Sequence, residues 1–196
     1  MIPIVIPTLD ADLPTRLADQ LNAREPGMNI DAIIQIDEAR TGFTRAVNEG
    51  LKVALQRDAA YIGIMTDDCQ PQTDDWLAKL VTALEEDDAN GVAAPLMPCR
   101  TAGVNGIEPK ATPFVVEHWG VPYGCAVIRR EMLRDVGLLD PVFRHYCSDT
   151  DHQFRARRFG WRSVVCWHVY VEREPHPPRR PMWEQDQAAL KRRWGS

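Results

Sequence analysis

Two adjacent carboxylates, Asp67 and Asp68, close the apolar run Tyr61-Ile62-Gly63-Ile64-Met65 after a single Thr66. Five mostly apolar residues in a row read as a strand buried on both faces, as inside a parallel sheet. In open α/β sheets, ligands bind beyond the carboxyl ends of the strands, so both acids stand at a ligand site. Side by side they repel each other unless something positive shares the site. A hard divalent cation, Mn²⁺ or Mg²⁺, is the economical partner, because it takes one or two carboxylates together with phosphate oxygens. The competing reading is a polar turn, since Asp favours turns and caps. A second acidic pair, Asp149 and Asp151, follows Ser148. A carboxylate near a helix N-terminus is stabilised in its ionised form and can accept a proton at neutral pH, which makes Asp149 a candidate general base. Ser148-x-x-Asp151 also reads as a variant capping box, and capping explains Asp151 better than Asp149 because Asp151 holds the reciprocal position.

The elements that must position these acids can be read from hydrophobic spacing. Ile2 to Ile6 is a short strand closed by Pro7-Thr8-Leu9-Asp10, and Leu13, Leu17 and Leu21 recur at helical spacing until Pro26-Gly27. Ile30 to Ile36 is a second strand ending at Asp37, and Phe43 to Leu55 is a one-faced helix. After the Tyr61 strand comes a helix over Trp76 to Leu84, with Thr73 or Asp74 as its cap, then a short strand at Val92 to Ala94. This alternation predicts a parallel sheet with helices on both faces. Residues 95–122 hold five prolines and three glycines, and a loop of that length is usually functional or mobile. Beyond it, Tyr123 to Ile128 reads as a strand, Arg130 to Asp135 and Ser148 to Phe159 as helices, and Arg162 to His168 as a strand. Prolines 175, 177, 178 and 181 then lead to a final helix near 183–194.

Composition bounds the class. The 196 residues fit one domain, and 44% hydrophobic with 26% charged side chains is ordinary for a soluble globular protein. No run of 18 apolar residues offers a membrane span, and the chain opens directly into a strand. The five cysteines are odd in number and contain no Cys-x-x-Cys pair, which argues against a zinc knuckle or disulfide framework and for a reducing cytoplasm. Charge is uneven, with residues 1–172 at net −8 and residues 173–196 at net +3. A basic tail favours phosphate-rich partners, including a membrane surface, unless it is simply a solvated helix; Trp183 and Trp194 could dock it on the body.

Five motifs in order resemble the family 2 glycosyltransferases, the sugar-nucleotide-dependent enzymes of the A-type glycosyltransferase fold. Ile4-Val5-Ile6-Pro7-Thr8 is similar to that family's opening strand and turn, and Gly42-Phe43-x-x-Ala46-x-Asn48-x-Gly50-Leu51 to its next helix. Thr66-Asp67-Asp68 with Trp76-Leu77 resembles its metal-binding acidic motif. Gly124-Cys125-Ala126 through Val136-Gly137-x-x-Asp140 resembles its acceptor-side strand and turn. Ser148-Asp149-Thr150-Asp151 with Arg155 and Gly160 resembles the block carrying its catalytic base. Ser148 stands where that family usually has Glu, and the stretch before Gly42 is shorter than usual.

The resemblance implies a single-domain, Rossmann-like, mostly parallel sheet flanked by helices. The donor half is about 1–95, the acceptor half about 96–172, and 173–196 form a proline-rich connector and basic terminal helix. Asp68 would ligate Mn²⁺ or Mg²⁺ through the diphosphate, and Asp67 would hold the ribose or a metal-bound water. Pro7, Thr8, Asp10, Asp37, Asn48 and Thr66 would complete the donor site, although Thr8 and Asp10 also suit helix capping. A further ligand would come from His168, Glu172 or His176, with His176 best placed. Trp119, Gly124 and Asp151 would face the acceptor, Trp119 as a stacking platform unless it is simply a buried Trp.

The implied activity is metal-dependent, inverting transfer of a sugar from a nucleoside-diphosphate sugar, foremost a UDP-sugar, to an acceptor hydroxyl with Asp149 as base. The acceptor would be a glycan, a lipid-linked sugar, a modified base in nucleic acid or a protein. One rival is a nucleotidyltransferase, which needs a Gly- and Lys/Arg-rich phosphate loop that Ile6-Pro7-Thr8-Leu9-Asp10 does not supply. The other is a non-catalytic sugar-nucleotide-binding module, favoured only by Ser148.

Overall fold

The computed structural model describes residues 1–9, 17, 21, 23–97, 115–174 and 180–195. Its strands are β1 (Ile2–Thr8), β2 (Ile30–Ile36), β3 (Tyr61–Met65), β4 (Cys69–Pro71), β5 (Asn90–Leu96), β6 (Val115–His118), β7 (Cys125–Arg129) and β8 (Arg162–Arg173). Its helices are α1 (Phe43–Ala54), α2 (Trp76–Glu85), α3 (Arg130–Val136), α4 (Ser148–Arg157) and α5 (Arg180–Trp194). Leu17 and Leu21 are helical and buried, but the rest of the helix expected around them lies outside the described residues, as does Cys99.

The strands run in the order β2-β1-β3-β7-β5-β8-β4, with β6 paired to β8. β2, β1 and β3 are parallel neighbours, and β5 is parallel to β8. β7 lies antiparallel between β3 and β5, and β4 and β6 are antiparallel to β8. The sheet is therefore mixed where the alternation of elements predicts a parallel one. Alternation reports which segments are strands; direction follows from the connections, and β7 enters the sheet reversed relative to both of its neighbours.

Successive side chains of a buried strand serve opposite faces. Ile4 and Ile6 join the core under α2, with Trp76, Leu77, Leu80 and Leu84, while Val5 joins the opposite core with Val47 and Leu51 of α1. Each such fully buried side chain contributes about 1.5–3 kcal/mol. α1 approaches β1 closely because residue 50 is Gly: a Cβ there would overlap the Val5 side chain.

Two capping expectations are corrected. Neither Thr73 nor Asp74 caps α2: the Thr73 hydroxyl accepts from the Tyr170 N–H (2.9 Å), Asp74 pairs with Arg24 (3.3 Å), and the N-cap residue is Asp75 in the left-handed region. The Leu77 N–H instead donates to the Glu25 carboxylate, which comes from a distant part of the chain. Burial raises the pKa of Glu25 above its ordinary value. α4 begins after Cys147, whose φ of 63° turns the chain into the helix, and neither Ser148 nor Asp151 forms a capping box.

β8 extends past the expected His168 to Arg173, through a register shift that moves its partnership with β5 from Cys166 to Tyr170. Its last residues then pair with β4, placing Arg173 opposite Cys69. α5 closes over the N-terminal end of α4, where Leu190 packs with Phe143 and Cys147 and is flanked by Tyr146, Ala189 and Trp194.

Candidate active site

The carboxyl ends of β1, β2 and β3 converge, as the parallel register requires. The Asp37 N–H donates to the Thr8 carbonyl (2.9 Å), and the Thr8 hydroxyl donates to Asp67 Oδ2 (2.6 Å). Thr8, Asp37 and Asp67 are thus brought to one crest. Asp37 accepts from the Thr41 N–H (2.7 Å), the Thr41 hydroxyl (2.8 Å) and the Gly42 N–H (2.8 Å). Burial alone would raise its pKa, but these bonds together hold it below the usual carboxylate value. A pocket of about 110 Å³ opens beside it, lined by Gln35, Ile36, Thr41, Arg45, Ala46 and Glu49.

Three residues expected at the donor site face inward. Pro7 is buried within β1 opposite Gln35. The Asn48 side-chain amide donates to the Leu139 carbonyl (2.8 Å) and its carbonyl accepts from the Leu139 N–H (3.0 Å), tying α1 to the turn after α3. Thr66 is buried, and its hydroxyl donates to the Gly124 carbonyl (3.1 Å). Asn48 and Thr66 thus direct their side-chain bonds to the protein's own backbone. Asp10 lies outside the described residues.

Asp68 is engaged by a residue that sequence reading passed over. Arg173 Nε donates to Asp68 Oδ2 at 2.8 Å, and the Glu174 N–H donates to the Asp68 carbonyl (3.1 Å). No group of three His, Cys, Asp or Glu side chains gathers as a metal centre among the described residues. As arranged, the described residues do not fit a divalent ion, because the carboxylate that would ligate it is held by a guanidinium. Of the candidate further ligands, His176 lies outside the described residues, while His168 and Glu172 fall within β8. Glu172 is exposed and accepts from Gln72 at 3.4 Å.

The segment 121–124 joins the donor crest to Asp149. The Thr66 N–H donates to the Gly124 carbonyl (2.7 Å), and one residue earlier the Tyr123 N–H points to Asp149 Oδ2 (3.4 Å). α4 grips this segment further: Gln153 makes two bonds of 2.7 Å to the Val121 backbone, and His152 Nδ1 lies 2.8 Å from the Tyr123 hydroxyl. Burial pushes His152 down to about 4, so it is neutral at ordinary pH; its Nε2 lies 2.9 Å from the Gly137 carbonyl. Asp149 also accepts from the Thr150 N–H (2.8 Å). Desolvation raises its pKa above the ordinary value despite these bonds. That reverses the expectation from helix position alone, because lost hydration outweighs the helix terminus.

Asp151 does not reach the acceptor side. Its fully buried carboxylate accepts from Arg155 Nε (2.9 Å), Arg193 Nη1 (2.9 Å) and Trp194 Nε1 (3.0 Å). Trp119 corrects the buried-Trp alternative: it is 75% exposed, with the Arg157 guanidinium 4.3 Å above its ring. Cys69, Cys125, Cys147 and Cys166 are buried free thiols.

This arrangement, a polar crest at the strand ends with an acid across a short bridging segment, sits on the A-type glycosyltransferase fold. The solved structure of A197 from STIV is similar over 89% of this chain and 86% of its own, at TM-score 0.61 and 15% identity. GalNAc-T7 with UDP, GalNAc and Mn²⁺ matches over 97% of this chain and 47% of its own, at TM-score 0.65 and 13% identity. The mannosyltransferase PcManGT from Pyrobaculum calidifontis, in complex with GDP-Man and Mn²⁺, matches over 91% and 57%, at 0.61 and 17%. The chain thus spans about half the length of these two enzymes. At these identities the likeness is one of fold. No curated protein matches the sequence. The family model "Glycosyl transferase family 2" matches residues 17–137. The chain belongs to that family.

Proposed function

We propose that this chain is a glycosyltransferase that moves a sugar, with inversion, from a nucleoside-diphosphate sugar to an acceptor hydroxyl. The observation that carries the reading is the bridge at Tyr123 and Gly124: one residue bonds the donor acid turn at Thr66, and its neighbour bonds Asp149. Donor crest and base are thereby held in one rigid frame, which is what in-line displacement requires. Thr8, Asp37 and Asp67 would grip the base and ribose, with a UDP-sugar the first donor to try. Asp149 would take the acceptor's proton as its oxygen attacks the anomeric carbon. A carboxylate with a raised pKa is a stronger base than an ordinary one.

The exposed Trp119 ring offers a face for a sugar or base of the acceptor, whether glycan, lipid-linked sugar or nucleic acid. Among the described residues no helix is long and apolar enough to cross a membrane. Asp68 is where Mn²⁺ or Mg²⁺ would bind by resemblance, and its ion pair with Arg173 would have to open for that.

The test is release of nucleoside diphosphate from a panel of sugar nucleotides, with and without Mn²⁺. The wild type is expected to release it from at least one donor. Asp149→Asn should bind that donor unchanged but lose turnover by about a hundredfold or more. Full turnover by the variant would remove Asp149 from the mechanism, and pyrophosphate-dependent chemistry would indicate a nucleotidyltransferase instead.

A further inference from the structure

A diphosphate brought to the Thr66-Asp67-Asp68 turn meets two acids, so its binding depends on what supplies positive charge there. Asp67 receives a neutral hydroxyl donor, Thr8. Asp68 receives a full charge from Arg173, at 2.8 Å. The Arg173 side chain is 37% exposed and that of Asp68 only 8%. The acid is thus covered, and an anion arriving from solvent meets the guanidinium first. Gly124 makes the room: a Cβ at that position would stand 3.2 Å from Arg173 Nη1 and 3.4 Å from its Cζ, a tighter fit than side chains normally accept. The placement is structural rather than incidental. Cys69 and Arg173 are partners in the β4–β8 ladder, and the Glu174 N–H secures the Asp68 carbonyl just beyond it.

We propose that Arg173 is the cation of this site: its guanidinium neutralises the donor diphosphate where the resemblance puts a divalent ion, so donor binding does not need metal. The proposal rests on reading the chain as a nucleotide-sugar transferase. Guanidinium is permanently charged, and its planar fork of N–H donors matches phosphate oxygens. Asp68 orients that fork through Nε, and so acts as a positioning residue. In the transfer step the acceptor oxygen bonds to the anomeric carbon and its proton passes to Asp149. The bond from the anomeric carbon to the diphosphate oxygen breaks, and its electron pair stays on that oxygen, where Arg173 stabilises the new charge.

Titration calorimetry with nucleoside diphosphates of the common bases, in EDTA and in Mn²⁺, tests this. Wild-type affinity for the preferred nucleotide is expected to agree within about threefold between the two conditions. Arg173→Ala should weaken binding in EDTA by about tenfold or more and make it respond to Mn²⁺, because Asp68 is then uncovered. Arg173→Lys, which keeps the charge but not the fork, should fall between. A solely structural role for Arg173 would not change the ratio between EDTA and Mn²⁺. Should Arg173→Ala fail to fold, the wild-type ratio and the Lys variant still decide. Wild-type binding that requires Mn²⁺, or alanine-variant binding unchanged in EDTA, overturns the proposal while leaving the transferase reading intact. No nucleotide binding under either condition removes both.

Discussion

Asp149 shows how environment sets the task of a single side chain. Its neighbours in sequence suggest an ionised helix-end carboxylate, yet desolvation dominates and raises its pKa. As the proposed base, Asp149 would work only when deprotonated, so activity should fall as pH drops through that raised value. The acid limb of the kcat profile should therefore lie above the ordinary Asp pKa of about 4. A limb at or below that value, measured with saturating donor, would contradict the assignment. Around it, residue types proved easier to read than residue roles. The Asp67-Asp68 pair and Thr8 are legible as a polar cluster at strand ends, and the structure brings Thr8 and Asp67 into contact. Asn48, Thr66 and Asp151 are polar too, but their atoms are bonded within the fold, and spacing alone does not tell a bonded polar group from one presented to a ligand.

At the scale of elements, α5 and the loop before α4 form one device. Asp186 of α5 is buried and accepts from the backbone N–H groups of Arg144 (3.0 Å), His145 (2.9 Å) and Tyr146 (2.8 Å). Cys147 follows in its left-handed turn, and two residues later comes Asp149. Replacing Asp186 with Ala strands three donors. The expected loss is about 2–3 kcal/mol of stability, the range for bonds to a charged group and unpaired buried donors. Denaturant unfolding would measure it, and turnover should drop more than donor affinity because the proposed base loses its support. The terminal helix was legible near 183–194, beyond the proline-rich connector, but not its role. A 3.6-residue period identifies an amphipathic segment; it does not name the surface that segment will cover. The two short strands β4 and β6 were missed for a related reason: three or four residues carry too little pattern, and they exist through their pairing with β8.

The whole molecule is held as two cores on either side of one sheet, with a third small cluster under α5. Asp151 is the charged node that joins that last layer to the rest. Arg155 comes from its own helix, whereas Arg193 and Trp194 come from α5, and Arg193 also reaches Asp140 at 2.7 Å. The basic tail that composition assigns to outside partners therefore spends part of its charge internally. Removing the node leaves two guanidinium groups without their buried counter-charge. Asp151→Ala should cost about 2–4 kcal/mol, tempered because Arg155 and Arg193 keep some contact with water. A lower urea midpoint with unchanged slope would register it as lost stability rather than a changed unfolded state.

The chain alone determined the longer strands and helices, and that acids stand at strand ends, because these depend on side chains close together in sequence and on a backbone with two preferred periods. The tertiary structure alone decided that Arg173 covers Asp68. Those residues are 105 positions apart, and their meeting depends on the bend in β8 and its register against a three-residue strand. Such long-range registers follow from the packing of the entire sheet, which no local pattern encodes.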